Sequence, residues 1–172
     1  PEQVTIKVKD LLCTDSISLD TVELHLQALG CEAIPHHQDN FYHCTEYNKS
    51  LKVLIPLNQL NINNGGLIFL DTEVNFPVLK HEASSVRNFS SYIPIQEINK
   101  LNFSSTEYEY NIGDASYHFI NSIHFSKGNK TNNDSLFLVF RYSSIGSKLD
   151  KNAQQKYEEC YKKHLSKLKQ SG

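Results

Sequence analysis

The sequence predicts an α+β fold with a largely antiparallel β-sheet, a helix at about residues 18–29 and a long amphipathic C-terminal helix at about residues 148–169. Three observations lead to this prediction. Short apolar runs typical of strands fill the middle of the chain, apolar residues recur at helical spacing near each end, and Asn-, Gly- and Ser-rich segments separate them. We expect residues 1–172 to form a single globular domain, because 172 residues suit one hydrophobic core.

The composition excludes several classes of protein. Hydrophobic residues make up 39% of the chain and charged residues 21%, which is far from the composition of a disordered protein. The formal net charge of −2 indicates no partner by itself, and nucleic acid is not expected. No apolar run approaches the roughly 18 residues that predict a membrane-spanning helix.

The cysteines leave two locations open. They form no CxxC pair, which favours free thiols in a cytoplasmic or nuclear protein. A secreted protein with two disulfides is the alternative, and five glycosylation acceptor patterns support it. The cysteines are Cys13, Cys31, Cys44 and Cys160, and the acceptor residues are Asn48, Asn88, Asn102, Asn129 and Asn133.

Two elements are predicted near the N-terminus. Val4, Ile6 and Val8 alternate with polar residues, which indicates a half-buried strand that continues through Leu12. The helix at about 18–29 then follows, with Ser18 as its N-cap. Its buried face consists of apolar residues three or four positions apart, namely Leu19, Val22, Leu26 and Leu29.

Strands are predicted through the first half of the chain. Residues 41–47 are rich in aromatic side chains, and residues 51–57 form a nearly continuous apolar run typical of a buried strand. The Asn-Asn-Gly-Gly segment at 63–66 predicts a hairpin turn, because Asn and Gly accept the positive φ of tight turns. Residues 67–70 are then the returning strand of this hairpin.

The second half of the chain contains an irregular segment and then a hairpin. Residues 75–106 lack a clear period, apart from a short helix that begins at Pro94. Residues 117–126 and 135–142 predict a long antiparallel hairpin. His118 and His124 are an even number of positions apart in its first strand, so they share one face. We expect this to be the more exposed face.

The C-terminal segment shows the strongest helical pattern. Its apolar stripe consists of Leu149, Ala153, Tyr157, Cys160, Tyr161, His164 and Leu168. Lysines accumulate near its end, where the helix dipole favours positive charge, and we interpret them as a solvated face. A final hairpin followed by an amphipathic C-terminal helix resembles the pleckstrin-homology-like superfold in outline.

The search for chemical motifs identifies one cluster. His36, His37, His43 and Cys44 lie within nine residues, and Cys31 precedes them. Imidazole and thiolate are ligands of zinc and copper, but residues 43 and 44 of a strand point to opposite faces and a second ligand pair is missing. We therefore predict no metal and no cofactor.

The failure of the catalytic templates favours a non-enzymatic protein-binding domain, such as a complex subunit, adaptor or inhibitor, whose partner is another protein. Two alternatives stay open. One is a secreted or viral-type, disulfide-stapled and glycosylated ligand-binding domain. The other is a hydrolase-like enzyme with a histidine and carboxylate site built from His36, His37, His43, Asp71 or Glu73. The predicted binding residues are Phe41, Tyr42, Tyr47, Lys80, Arg87, Phe89 and Tyr92.

Overall fold

The computed structural model describes residues 2–46, 48–86 and 89–170. The four helices of the described residues are α1 (Glu2–Leu12), α2 (Asn40–His43), α3 (Ile95–Asn99) and α4 (Lys151–Gln170). The strands in the same residues are β1 (Ile17–Gln27), β2 (Ile34–His37), β3 (Ser50–Pro56), β4 (Leu67–Leu70), β5 (Glu82–Ala83), β6 (Ser91–Tyr92), β7 (Ser105–Glu107), β8 (Ser116–Phe119), β9 (His124–Ser126) and β10 (Ser135–Ser144).

Eight of these strands form two four-stranded sheets. The first sheet has the order β1-β10-β3-β8 and the second has the order β2-β9-β4-β7, with every pairing antiparallel. The chain passes repeatedly from one sheet to the other, which is the arrangement of a jelly roll. Strands β5 and β6 pair with each other outside these sheets.

Apolar clusters lie on both sides of the first sheet. One is formed where β3 and β10 meet β4 of the second sheet, and it includes Leu54, Leu67 and Phe137. The other is formed where α1 covers the first sheet, with Val8 against Leu51 and Val53. Helix α4 lies elsewhere and packs against α2 and β5.

The α+β class, the antiparallel pairing and the long C-terminal helix are confirmed. The likeness to the pleckstrin-homology-like superfold does not extend to the topology, since the strand order is that of a jelly roll. The short helix near Pro94 is also present, with Pro94 as the N-cap of α3.

The two N-terminal predictions are wrong, and each has a physical reason. Residues 2–12 form a helix rather than a strand, because Val4, Val8 and Leu12 are spaced by four residues and are buried together. Residues 17–27 form a strand rather than a helix, and its apolar side chains alternate on the outward face. The long pairing of β1 with β10 decides the conformation of this segment.

The predicted hairpins are also wrong. Strands β3 and β4 are both present, but they lie in different sheets and do not pair with each other. Residues 117–126 form two strands, β8 and β9, that belong to different sheets, and β10 pairs with β1 and β3. Residues 41–47 are not a strand, because residues 40–43 form the short helix α2.

All four cysteines lie in the described part of the chain, and none is in a disulfide. Asn129, one of the glycosylation acceptors, is 1% exposed, and its side-chain amide donates to the carbonyls of Gln27 and Asn133. Asn88, another acceptor, lies outside the described residues. Within the described residues, the helices are too short or too polar to cross a membrane.

Candidate metal centre

The segment from His37 to Asp39 connects the end of β2 to the start of α2 and presents two side chains on the same side. His37 ends β2, Asp39 is the N-cap of α2 in the αR conformation, and their side chains converge, with the Nε2 of His37 4.0 Å from Asp39 Oδ1. Gln38 between them is fully buried at 0% exposure. Its side-chain amide donates to the carbonyls of Pro77 and Asn121 and accepts from the backbone N–H of Leu79.

The Asp39 carboxylate lies at the centre of a group of basic side chains. Its Oδ1 accepts a hydrogen bond from the Lys52 ammonium at 2.9 Å, and the Nε2 of His37 is 4.0 Å from the same oxygen. Its Oδ2 is 3.6 Å from the Nε2 of His118 and 3.7 Å from the Nε2 of His124. Burial raises the pKa of Asp39, but the Lys52 ammonium and the surrounding imidazoles outweigh it and hold the pKa well below its ordinary value.

Two of these histidines are held in the tautomer that a metal ion requires. The Nδ1 of His37 lies 2.9 Å from the carbonyl oxygen of Pro35, and the Nδ1 of His124 lies 3.0 Å from that of Ser122. A carbonyl only accepts, so each Nδ1 carries the proton and each Nε2 presents a lone pair. Burial lowers the pKa of both imidazoles, which favours the neutral, ligating form.

His37, Asp39 and His124 each offer a ligand atom, and these atoms all lie within 4.8 Å of one another. The three side chains are buried. Asp39 Oδ2 has no hydrogen-bond partner, although it is buried, so a polar atom in the centre of the group is unsatisfied. Two imidazoles and one carboxylate with open positions are the donor set of non-heme iron(II) sites, and the residues present fit such an ion.

A row of polar side chains on the first sheet lies beside this trio. Register pairing places His118 of β8 opposite Lys52 of β3, and Lys52 opposite Arg141 of β10. Opposite residues in antiparallel strands share a face, so the three side chains lie on the inner side of the sheet. Arg141 also lies 3.5 Å from the carboxylate of Asp20.

Aromatic rings enclose the centre. Phe69 lies against His118 and His124, with ring centroids 5.1 and 5.4 Å apart. Phe89 and Tyr42 lie against His37, with ring centroids 5.0 and 6.2 Å apart. The environment is therefore dry on several sides, and the charged groups interact more strongly than they would in water.

The structure disperses the histidine and cysteine cluster found in the sequence. His37 is a member of the trio, and burial lowers the pKa of nearby His43 to about 4. His36 stacks on Phe125 instead, with ring centroids 4.1 Å apart. Cys44 ends α2 and lines a cavity beside α4, and the Cys31 thiol donates to Gln27.

The predicted carboxylates and exposed histidines require correction. Asp71 and Glu73 are exposed, and Asp71 accepts hydrogen bonds from Ser104 and Thr106, so neither is in the trio. His118 and His124 were expected on an exposed face but are buried, because their strands line the space between the two sheets. Asp39 and Lys52 were not identified from the sequence, and the His-x-Asp spacing was the available signal for Asp39.

The predicted binding residues have several environments. Tyr42 and Phe89 flank His37, while Phe41 is buried with its ring stacked on His81. Lys80 is exposed beside a cavity of about 990 Å³ between α4 and residues 78–83, which includes none of the trio. Tyr92 is half-buried on β6. Tyr47 and Arg87 lie outside the described residues.

No protein-family model matches the sequence, and no curated protein matches it. Solved structures do match its fold. EvdO2 from Micromonospora carbonacea var. aurantiaca, complexed with 2-oxoglutarate, has a TM-score of 0.72 at 16% identity, with 87% of this chain and 61% of EvdO2 covered. The chain therefore spans less than two thirds of EvdO2.

Two further neighbours are enzymes by their descriptions. The epimerase SnoN in complex with Fe³⁺, alpha-ketoglutarate and nogalamycin RO has a TM-score of 0.66 at 15% identity, with 86% of this chain and 57% of SnoN covered. The non-heme monooxygenase ThoJ has a TM-score of 0.69 at 13% identity, with 97% of this chain and 72% of ThoJ covered. Identities this low show a shared fold.

These findings overturn the prediction of a non-enzymatic protein-binding domain, subunit or adaptor. The neighbours that share the fold are enzymes, and the buried centre holds two imidazoles and a carboxylate rather than packed apolar side chains. The sequence templates failed because His37 and Asp39, between β2 and α2, meet their third member, His124 of β9, only in the folded structure.

Proposed function

We propose that this chain forms the core of a non-heme iron(II) enzyme that uses a 2-oxo acid of the 2-oxoglutarate class as its co-substrate. The observation that carries the proposal is the buried trio of His37, Asp39 and His124, with its ligand atoms all within 4.8 Å. The trio lies in a fold shared with EvdO2 and SnoN, whose structures contain 2-oxoglutarate and, in SnoN, iron.

His37, Asp39 and His124 are the residues that would hold the ion. Iron(II) held there would supply the activation of O₂, by which the organic substrate would be oxidised while 2-oxoglutarate is converted to succinate and CO₂. In a hydroxylation, one oxygen atom of O₂ enters succinate and the other enters the substrate. The protein contributes neutral imidazoles, a carboxylate kept ionised by its neighbours, and backbone carbonyls that fix the ring orientations.

Lys52 is the residue we assign to the co-substrate's carboxylate. Its side chain is only 12% exposed, and its ammonium contacts Asp39 at 2.9 Å. A metal ion on Asp39 neutralises that carboxylate, so the buried ammonium then requires another anion to offset its desolvation. Arg141 is opposite Lys52 on β10 and adds a second positive charge on the same face.

The enclosing rings of Phe69, Phe89 and Tyr42 serve to exclude water from the centre. Exclusion of water strengthens the charged interactions and protects reactive species from side reactions. The Tyr42 hydroxyl donates to the carbonyl of Ser91, which fixes this ring at the edge of the centre.

The proposal is tested by measuring anaerobic Fe²⁺ binding and O₂-dependent conversion of 2-oxoglutarate to succinate. We expect one bound Fe²⁺ per chain, and loss of both binding and conversion in His37→Ala, Asp39→Ala and His124→Ala. His36→Gln is the matched control, since His36 precedes the ligand His37 but stacks on Phe125.

A Lys52→Met variant separates the metal from the co-substrate. We expect it to keep Fe²⁺ binding while the KM for 2-oxoglutarate rises by at least about tenfold, because a charge-assisted contact contributes on the order of 1.5–3 kcal/mol. Fe²⁺ binding that survives in all three alanine variants would exclude the trio as the metal site. An unchanged KM in Lys52→Met would exclude Lys52 as the anchor.

A further inference from the structure

His118 is a third buried imidazole beside the Asp39 carboxylate. It lies on β8, its side chain is 6% exposed, and its Nε2 is 3.6 Å from Asp39 Oδ2. The corresponding distance for His124, a member of the trio, is 3.7 Å. Measured from Asp39, the two imidazoles are therefore equally close.

The hydrogen bonding of His118 differs from that of the other two histidines. The Nδ1 atoms of His37 and His124 each have a backbone carbonyl partner. Both ring nitrogens of His118 are buried without a hydrogen-bond partner, and so is Asp39 Oδ2 beside it. Asp39 Oδ2 and His118 Nε2 face each other at 3.6 Å, which is longer than a hydrogen bond, so an ion between them would satisfy both atoms.

Besides the Asp39 carboxylate, the described neighbours of the His118 ring are two other rings and Lys52. Phe69 lies against one side of it at 5.1 Å between ring centroids, and His124 lies 5.2 Å away. Lys52 is opposite it on β3 but donates its hydrogen bond to Asp39. Lys52 carries only donors, so it does not satisfy a His118 N–H.

We infer that His118 is a fourth protein ligand of the ion, which then has three imidazoles and one carboxylate around it. This inference rests on the proposed metal site and adds a residue to it. His118 lies outside the trio whose atoms are all within 4.8 Å, and its Nε2 lies beside Asp39 Oδ2 at 3.6 Å. Its Nδ1 lacks the backbone carbonyl partner that orients His37 and His124, so its ring is the least firmly held of the four.

A fourth ligand has a consequence for the open positions. An octahedral ion with three protein ligands has three positions open, and one with four has two. A 2-oxo acid bound through two atoms would fill both of these, so O₂ would gain a position only where His118 is displaced. His118 would thereby limit the access of O₂ to the ion once the co-substrate is bound.

The test counts bound imidazoles in the native protein without co-substrate. Zn²⁺ is the probe, since it is diamagnetic and does not react with O₂. Long-range ¹H–¹⁵N NMR of the ¹⁵N-labelled protein, recorded with and without one equivalent of Zn²⁺, reports which imidazole nitrogens bind the metal. We expect three, assigned to His37, His118 and His124.

Two variants complete the test. His118→Gln should reduce the count to two and raise the Kd for Zn²⁺ by at least about tenfold, while His36→Gln should leave the count at three. A count of two in the native protein overturns the role of His118 and leaves the proposed function standing. A native protein that binds no metal overturns both. The count in the native protein requires no substitution, so the test does not depend on the folding of a variant.

Discussion

Gln38 shows how one buried side chain can position two others. It lies between His37 and Asp39, and its amide group makes hydrogen bonds with backbone groups of residues 77, 79 and 121. Those partners are far from Gln38 in the sequence. Their hydrogen bonds therefore fix the short connection between β2 and α2 to the rest of the molecule. The orientation of the candidate ligands therefore depends on a residue that does not contact the ion.

Gln38→Ala tests this role in stability. We expect the free energy of unfolding to fall by about 3 kcal/mol, because the substitution leaves the Leu79 N–H and two carbonyls without their partner in a buried site. Urea denaturation of the two proteins gives the difference. Gln96→Ala is the matched control, since Gln96 is exposed on α3, and it should change the value by less than about 0.5 kcal/mol.

At the residue scale, His37 is the one member of the trio that the sequence identified as a candidate site residue. His37 was identified within a histidine cluster, and Asp39 two positions later was available from the same spacing. His124 was noted but assigned to an exposed face, because alternation in a single strand does not say which face meets another sheet. Sequence periodicity gives the relative orientation of neighbours, and only the tertiary pairing decides which side is inside.

At the scale of elements, the long amphipathic pattern of α4 was predicted correctly, whereas the shorter patterns of α1 and β1 were not. The pattern of α4 extends over five turns, so a strand does not reproduce it. In α1, Val4 and Val8 are four residues apart, and this spacing fits both two periods of a strand and about one turn of a helix. In β1 the apolar residues Val22 and Leu26 are equally ambiguous, and Leu24 between them was the sign of a strand.

Substitutions in α1 distinguish the helix from the strand that alternation suggested. A strand would place Ile6 and Val8 on one face, whereas the helix buries Val8 at 0% exposure and leaves Ile6 53% exposed. Val8→Ala should lower the free energy of unfolding by about 2 kcal/mol, because the lost methyl groups leave a cavity against Leu51 and Val53.

Ile6→Ala is the matched comparison for Val8→Ala, and it should change the free energy of unfolding by less than about 0.5 kcal/mol. Chemical denaturation with the same protocol measures both. Equal losses in the two variants would support the strand and contradict the helix.

At the scale of the whole molecule, the jelly roll explains why the site escaped prediction. The chain alternates between two sheets, so β10 pairs with β1 and β3 rather than with the strand before it. Predictions based on neighbouring strands therefore produced hairpins that do not exist. The same topology directs His118, Lys52 and Arg141 into the interior, although His118 was expected on an exposed face.

The interior histidines make the stability of the whole molecule dependent on pH. Burial lowers the pKa of His43 and of His81 to about 4 from the ordinary value of 6.5, and the His81 ring accepts the backbone N–H of Gln38. Because the folded protein resists protonation of these rings, the unfolded chain binds more protons between these values. Stability is therefore fully present above pH 6.5 and falls as the pH is lowered toward 4.

The contribution of His81 can be isolated by substitution. Its pKa shift predicts that native stability falls by about 2 kcal/mol between pH 7.5 and pH 5 through this residue alone. His81→Gln removes the titrating group at a similar side-chain length, so its loss over the same interval should be smaller than the native loss by about that amount. Urea denaturation at the two pH values measures the difference, and Lys80→Gln at the adjacent exposed position should retain the native pH dependence. If His81→Gln lost as much stability as the native protein, the folded ring would have to titrate near its ordinary value, and the buried acceptor role of His81 toward Gln38 would be contradicted.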